Sequence, residues 1–380
     1  MITGPGIENQ MNFEPAYLQS IIHRNKPYHS CELLSWNCIP LGKNKEESSV
    51  FRVFCNVLNH KEKRVYALIL KILKPDALRK ESHHYYYWKR EALVYQSGIL
   101  NQLPAGIRAP ECYAVEEKQN GDIWIWLEDI NIENLQSDWS LHQMKKVSYL
   151  LGKFNGRYLS GTPLPAHSFL CRNWLKSWVN ACTAYAKPIQ VQKAIWDCYR
   201  NVIGHTSPAA DIWNEYCLNR TRVNNLLETL DRLPRVFAHQ DVHWDNIFIE
   251  QVEERHSIIA MDWQFASISG VGEELGRMFG YALLKGKIPV EMVEEYKESL
   301  FKNYLQGIRD SGWNGNANLP RFGFCAAAGS RFIMAFDKLL TALETGDGNS
   351  QKEKLSHLLL VVQALIDLAE ESWNIRSQIT

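Results

Sequence analysis

The chain lacks an excess of either charge. Lys and Arg number 42, Asp and Glu 42, and the formal net charge is zero. Nucleic-acid binders and proteins that adhere to anionic membranes normally carry a basic surplus, so neither partner is expected. No C-x-x-C pair occurs among the 9 cysteines, which excludes a zinc ribbon and a dithiol redox site. Their scatter (Cys31, Cys38, Cys55, Cys112, Cys171, Cys182, Cys198, Cys217, Cys325) suits buried thiols in a reducing cytosol. The opening MITGPGIENQMNFEP has no basic region followed by an apolar one, so no signal peptide is expected. The most apolar late stretch, Leu358–Ala369, holds Gln363 and Asp367 and falls short of the ~20 residues of a membrane span. Internal repeats and low-complexity tracts are missing as well. A soluble, cytoplasmic protein is the expectation. With 46% hydrophobic and 22% charged residues the composition is globular, and 380 residues allow two domains or one two-lobed unit.

What is present begins β-rich. Cys31–Leu41, Val50–Leu58 and Arg64–Leu73 are apolar runs with β-branched and aromatic residues, joined by the loop Gly42–Ser49 and a turn at Asn59–Lys63. A helix is predicted over Tyr85–Leu100, then strands Cys112–Glu116 and Asp122–Leu127, turned at Gln119-Asn120-Gly121-Asp122. Beyond Asp129 the pattern becomes helical, over Leu141–Leu159, Trp174–Ala186, Val191–Val202 and Ile212–Leu230. Short strands return at Arg235–Ala238, Ile247–Glu250 and Ser257–Met261. Helices then fill Val290–Ile308, Pro320–Glu344 and Gln351–Trp373. The reading is α+β and bilobal: a small β-rich lobe over residues 1–130 with one helix, and a mainly helical lobe over 131–380. No Pro- or Gly-rich linker separates them, so a short hinge is expected.

One segment carries chemistry. His239-Gln240-Asp241-Val242-His243-Trp244-Asp245-Asn246 fits the spacing H-x-D-x-x-x-x-N between two short apolar strands. In phosphoryl transfer such a loop presents a carboxylate to the nucleophile and a neutral oxygen to Mg²⁺. Asp262 closes the next apolar strand, Ile258–Met261, where a second oxygen ligand for the metal is expected. Asp241 is therefore the candidate base, and Asn246 and Asp262 the candidate metal ligands.

HQDVHWDN followed by IAMDW resembles the aminoglycoside phosphotransferase and choline kinase superfamily, relatives of the protein kinases. Further likeness lies in Trp88–Tyr95, Leu103–Pro110, Ile125–Asp129, Leu151–Gly156 and Gly272–Gly276, spread over roughly residues 45–280. The resemblance implies a protein-kinase-like fold and a Mg²⁺-dependent, ATP-using enzyme that phosphorylates a small-molecule hydroxyl. It implies that Lys71, on a strand face shared with Ala67 and Ile69, reaches the nucleotide phosphates and pairs with Glu91. Lys74 is the weaker candidate. Ser48 and Ser49 stand where a phosphate-covering loop belongs, although the loop is not G-x-G-x-x-G. Glu128 to Ile130 stand where backbone amides meet adenine, which leaves ATP and GTP open.

Two departures stand out. Gln240 and Asp245 occupy positions where the antibiotic kinases often have Gly, and neither removes a catalytic atom. Glu273 and Glu274 open the helix after the metal loop and read as structural. A protein kinase is disfavoured by the short interval between Asp262 and that helix. A non-catalytic nucleotide-binding module is disfavoured by the joint presence of Lys71, Asp241, Asn246 and Asp262. The acceptor is not legible: the last hundred residues match nothing usable.

Overall fold

The computed structural model describes residues 13–25, 28, 30–41, 49–130, 139–203, 211–252, 255–344 and 349–379. Ser48, most of the predicted phosphate-covering loop, and the stretch following residue 130 where a hinge is expected lie outside these residues.

The fold is α+β and bilobal. Helix α1 (Pro15–Ile22), started by its proline, precedes strands β1 (Glu32–Pro40), β2 (Val50–Asn59) and β3 (Glu62–Leu73). After helix α2 (Arg90–Gln96) and the two-residue β4 (Ile107–Arg108) come β5 (Cys112–Glu117) and β6 (Ile123–Glu128). Five of these strands form an antiparallel sheet in the order β1-β2-β3-β6-β5. Its β2–β3 turn places His60 and Lys61 at positive φ, and Gly121 (φ 83°) turns β5 into β6. Alternation along β3 sorts its two faces. Leu68, Leu70 and Ile72 join Leu18, Ile21, Ile22 and Trp126 in a core under α1, while Ile69 and Lys71 face the other lobe. Helix α1 carries no strong periodic signal in the sequence and was not expected.

The large lobe holds α3 (Leu141–Leu159), α4 (Trp174–Tyr185), α5 (Ile189–Ile203) and α6 (Ile212–Asp231). Strands β7 (Arg235–Ala238), β8 (Ile247–Val252), β9 (Arg255–Ala260) and β10 (Ser267–Gly270) follow, then α7 (Glu273–Leu284), α8 (Val293–Asp310), α9 (Asn318–Gly329), α10 (Phe332–Glu344) and α11 (Asn349–Arg376). Helices α3 and α8 cross backbone to backbone at two glycines. A Cβ on Gly152 would lie 2.1 Å from the Tyr304 carbonyl, and one on Gly307 2.1 Å from that of Tyr149. Strand β4 pairs in parallel with β9, so a piece of the first 130 residues completes a sheet of the large lobe. Among the described residues no helix is long and apolar enough to cross a membrane. All nine cysteines are free, and Cys198, expected to be buried, is exposed.

Two helices differ from expectation, and a buried arginine lies at each place. The segment predicted as helix from Tyr85 becomes helical only at Arg90. The Arg90 guanidinium takes the carbonyls of Ser82, His84 and Tyr85, at 2.6–2.8 Å, out of any helical ladder. It also donates to the carbonyls of Phe169 (2.8 Å) and Gln264 (3.1 Å), so its five N–H groups are all used. Gly98 (φ 74°) ends α2 early. The helix predicted over Pro320–Glu344 is two helices, because the chain tightens at Ser330–Arg331, where the Arg331 amide bonds to Ala328. That break turns the Arg331 side chain inward.

Replacing Arg90 by Met leaves five buried carbonyls without donors. Urea denaturation is expected to show a loss of at least about 3 kcal/mol, with Arg90→Lys recovering part of it. A loss under about 1 kcal/mol would contradict this account.

Candidate active site

The loop 239–246 runs between β7 and β8 and is fixed from below. The Asp241 amide donates to His239 Nδ1 (3.1 Å), and His239 Nε2 donates to the Met261 carbonyl (2.7 Å). Both ring nitrogens are thereby committed, with the proton on Nε2. Burial pushes the His239 pKa down to about 4, so the ring is neutral and serves as a strut. Glu274, at the start of α7, accepts the amides of His239 (2.7 Å) and Gln240 (3.0 Å). Its other oxygen accepts from Asn155 (3.3 Å), which in turn accepts from the Tyr304 hydroxyl (2.6 Å). Glu273 accepts from the Gly270 amide (3.0 Å) and from Gln240 Nε2 (3.1 Å). The pair opening α7 is thus the bracket that holds Gln240 at its left-handed φ of 63°.

Asp241 is buried at the mouth of this loop. Asn246 Nδ2 donates to its Oδ2 (2.9 Å) and to its carbonyl (3.2 Å). Arg277, from the second turn of α7, forms an ion pair with its Oδ1. Burial alone would raise the Asp241 pKa, but Arg277, and then His243 and His239, outweigh it and hold the carboxyl well below its usual range. Asp241 is an anion throughout the ordinary pH range.

The small lobe brings Lys71 to the same cleft. Its ammonium lies 2.6 Å from Glu91 Oε2 and 3.0 Å from Asp262 Oδ1. Burial opposes its charge, yet Asp262 and Glu91 together hold its pKa above the ordinary lysine value. Asp262 sits at φ 61°, a left-handed conformation uncommon for this residue, directly after β9. Asn246 directly precedes β8. Because Ile247 pairs with Ala260 and the Met261 amide bonds to the Asn246 carbonyl (2.8 Å), the β8–β9 hairpin holds both residues at one end.

A cavity of about 190 Å³ joins these groups, lined by Lys71, Glu91, Asn246, Asp262, Glu128 and Ile130, with Ile69 and Leu127 forming apolar walls. The Glu128 carboxylate is turned away to Arg108 (2.8 Å) and the Glu111 amide (3.0 Å), so only its backbone is left for a base. Ser49 is exposed at the start of β2, where its carbonyl takes the Ile72 amide (2.7 Å); it does not line the cavity. A roomier concavity of about 910 Å³, bordered by Tyr66, Arg108, Glu111 and Tyr113, holds none of Lys71, Asp241, Asn246 or Asp262.

Among the described residues no group of three His, Cys, Asp or Glu side chains could hold a metal ion alone. One carboxylate and one amide oxygen at a hairpin end fit a hard cation that takes its remaining ligands from water and phosphate. Mg²⁺ bound with a nucleotide is such an ion.

Comparison of the sequence with protein-family models gave no match, and comparison with curated proteins gave none. The structure is similar to an amicoumacin kinase solved in complex with AMP-PNP, Ca²⁺ and Ami: TM-score 0.53, 13% identity, 87% of this chain and 88% of that one covered. This chain therefore shares the bilobal fold of that kinase. An ethanolamine kinase from Plasmodium vivax (TM-score 0.44, 13% identity, 92% and 87% covered) is more distant and carries no weight here. The same holds for a microcompartment-associated aminopropanol kinase (0.46, 12%, 97% and 100%).

Within this fold, the structural reading of Glu273 and Glu274 corresponds to their hold on the backbone amides, whereas Arg277 had no signal in the sequence. A lone Arg on an apolar helix reads as a surface charge, and only the tertiary fold sets it against Asp241.

The neutral His239 strut gives a pH signature. The unfolded chain takes up this proton near the ordinary 6.5 and the folded chain near 4. The stability it contributes is complete above about pH 6.5 and drains as pH falls towards 4, by about 3 kcal/mol. Burial raises Glu274 to about 7, which acts in the opposite sense, so the effect is read as a difference. In urea unfolding, the stability gap between the protein and His239→Asn is expected to shrink by about 3 kcal/mol from pH 7 to pH 4. A gap independent of pH would show that His239 titrates normally.

Proposed function

We propose that the protein transfers the γ-phosphate of ATP to a hydroxyl group of a small molecule. The observation that carries this reading is the meeting of Lys71, Glu91, Asn246 and Asp262 around one cavity, with Asp241 beside it. A phosphate-rich ligand needs fixed cations and oxygen ligands there, and little else in the protein's chemistry uses that set. Lys71 would hold the phosphates, with Glu91 keeping its ammonium aimed. Asn246 and Asp262 would hold Mg²⁺, which when bound supplies charge neutralisation for the leaving diphosphate. The backbone from Glu128 to Ile130 would meet the adenine. We take residues 1–130 as the nucleotide-covering lobe and 131–380 as the lobe that binds the acceptor.

In the transfer, the acceptor oxygen bonds to the γ-phosphorus as the bond to the bridging oxygen breaks, and ADP leaves. The hydroxyl proton passes to Asp241 late, because a carboxylate held so firmly ionised is a better orienter than base. A small acceptor is favoured over a protein substrate by the chain after Asp262. One short turn and β10 lead straight into α7, leaving no segment to seat a peptide.

Asp241→Asn is expected to leave nucleotide affinity intact and lower turnover by ~10²–10⁴. Retention of more than about a third of the rate would remove Asp241 from its role. Lys71→Ala and Glu91→Ala should each slow acceptor-independent ATP hydrolysis, the double variant being little worse than Lys71→Ala alone. Simple addition of two small effects would mean that the pair is not part of the nucleotide site.

A further inference from the structure

Two further guanidiniums are buried in the large lobe, Arg277 at 8% exposure and Arg331 at 1%. They lie on one aromatic platform. Trp174 and Trp178, a turn apart on α4, stack with centroids 6.3 Å apart and planes 8° apart. Arg277 lies 4.6 Å from the Trp174 centroid and Arg331 4.4 Å from that of Trp178. Arg331 reaches its ring across Gly280, one turn beyond Arg277 on α7. A Cβ at Gly280 would come within 2.5 Å of Arg331 Cδ and 3.1 Å of its Nε.

The two charges differ in what answers them. Arg277 is paired with Asp241. Arg331 Nε and Nη2 are buried and have no hydrogen-bond partner. Arg90 shows what a structural arginine looks like in this protein, with five carbonyls gathered around it. Nothing comparable surrounds Arg331, and a buried cation without acceptors is costly to keep. Burial, and then the charge of Arg277, lower the Arg331 pKa to about 9, which still leaves it protonated at neutral pH. Lys285 adds to the surplus, lying with Arg331 close enough to depress Lys338, whose own burial acts first. The nearby acids are engaged: Asp241 by Arg277, and Asp337 by the Lys187 amide (3.3 Å).

We propose that the acceptor is an anion, a hydroxylated compound whose carboxylate or phosphate group docks on Arg331 and Arg277 while its hydroxyl reaches Asp241. The proposal rests on the phosphotransferase reading and names the chemical class of its acceptor. A planar guanidinium pair on a tryptophan platform suits the two oxygens of such a group. Docking also changes Asp241. Its Oδ1 is held by Arg277, and an incoming anion offers Arg277 another partner, which frees that oxygen for the hydroxyl. One ion pair is exchanged for another without net loss of charge balance. Neutral and cationic acceptors offer no such exchange.

The test is ADP release on the unmodified protein with Mg²⁺ and ATP, using size-matched sets of hydroxy acids, phosphate esters of polyols, amino alcohols and neutral polyols. Turnover is expected in the first two sets, and which of the two responds distinguishes a carboxylate from a phosphate. Turnover confined to amino alcohols or neutral polyols, or no turnover with any anionic member, overturns the proposal. For the acceptor found, Arg331→Met should lower kcat/KM by roughly thirtyfold or more, and Arg331→Lys by less. Mg–ATP affinity by calorimetry, staying within about twofold, would show that the nucleotide half of the cleft is intact. An unchanged kcat/KM in a folded Arg331→Met protein also overturns it. If instead Lys71→Ala leaves ATP binding and hydrolysis unaltered, the phosphotransferase reading itself falls, which separates the two failures.

Discussion

The Arg90 guanidinium is the contact on which the rest of the cleft depends. It is wholly buried, and it ties α2 to the loop at Phe169 and to Gln264, two residues beyond Asp262. The next residue on α2 is Glu91, which aims Lys71. One side chain therefore fixes the distance between the helix that steadies Lys71 and the loop that carries Asp262. Because carbonyls rather than carboxylates receive it, its partners do not titrate, and salt screens it little, while burial lowers the pKa of the guanidinium itself to about 10.

The loop 239–246 is held by a second device, built from carboxyl groups. Glu273 and Glu274 reach up from the start of α7 and gather the amides of Gly270, His239 and Gln240. A carboxylate at a helix N-terminus is favoured by the unpaired amides there, and here the same charge is shared with a strained turn. The helix carrying this bracket also carries Arg277 and Gly280. The position of Asp241, its ion pair, and the lane by which Arg331 reaches the platform are thus all set by α7.

What could be read from sequence was what is local. HQDVHWDN marks a candidate loop within eight positions, and Asp262 is singled out by one apolar strand run that ends in an acid; the structure brings the two to one hairpin end. The two-residue period of β3 gave only the face on which Lys71 lies, since Leu68, Leu70 and Ile72 had to face a core; its place in the cleft came from the resemblance. Glu91 needed the family resemblance. The shortened α2 was not legible, because it is imposed by Arg90, whose partners include the distant Gln264, and the break between α9 and α10 was not legible because it is a tightening of the backbone at Ser330–Arg331 that leaves the apolar pattern intact. Helical periodicity continues through both places. The pairing of Arg277 with Asp241 was hidden by distance in sequence, as that of Arg90 was, and the loop containing Ser48 lies outside the described residues. Ser49 was expected at the phosphates and lies at the rim instead.

The parallel pairing of Ile107 and Arg108 with Ile258 and Ile259 has a consequence for how the chain matures. A two-residue strand has too few contacts to persist alone, so β4 remains unpaired until the ribosome has delivered β9. The small sheet can collapse early on its own hairpins, whose contacts are short in sequence and quick to form. Closing the loop between β4 and β9 comes later and slower. During synthesis the nascent chain would pass through a stage with one finished lobe and an open groove beside it. The cleft is then completed only by β9, the strand that leads to Asp262.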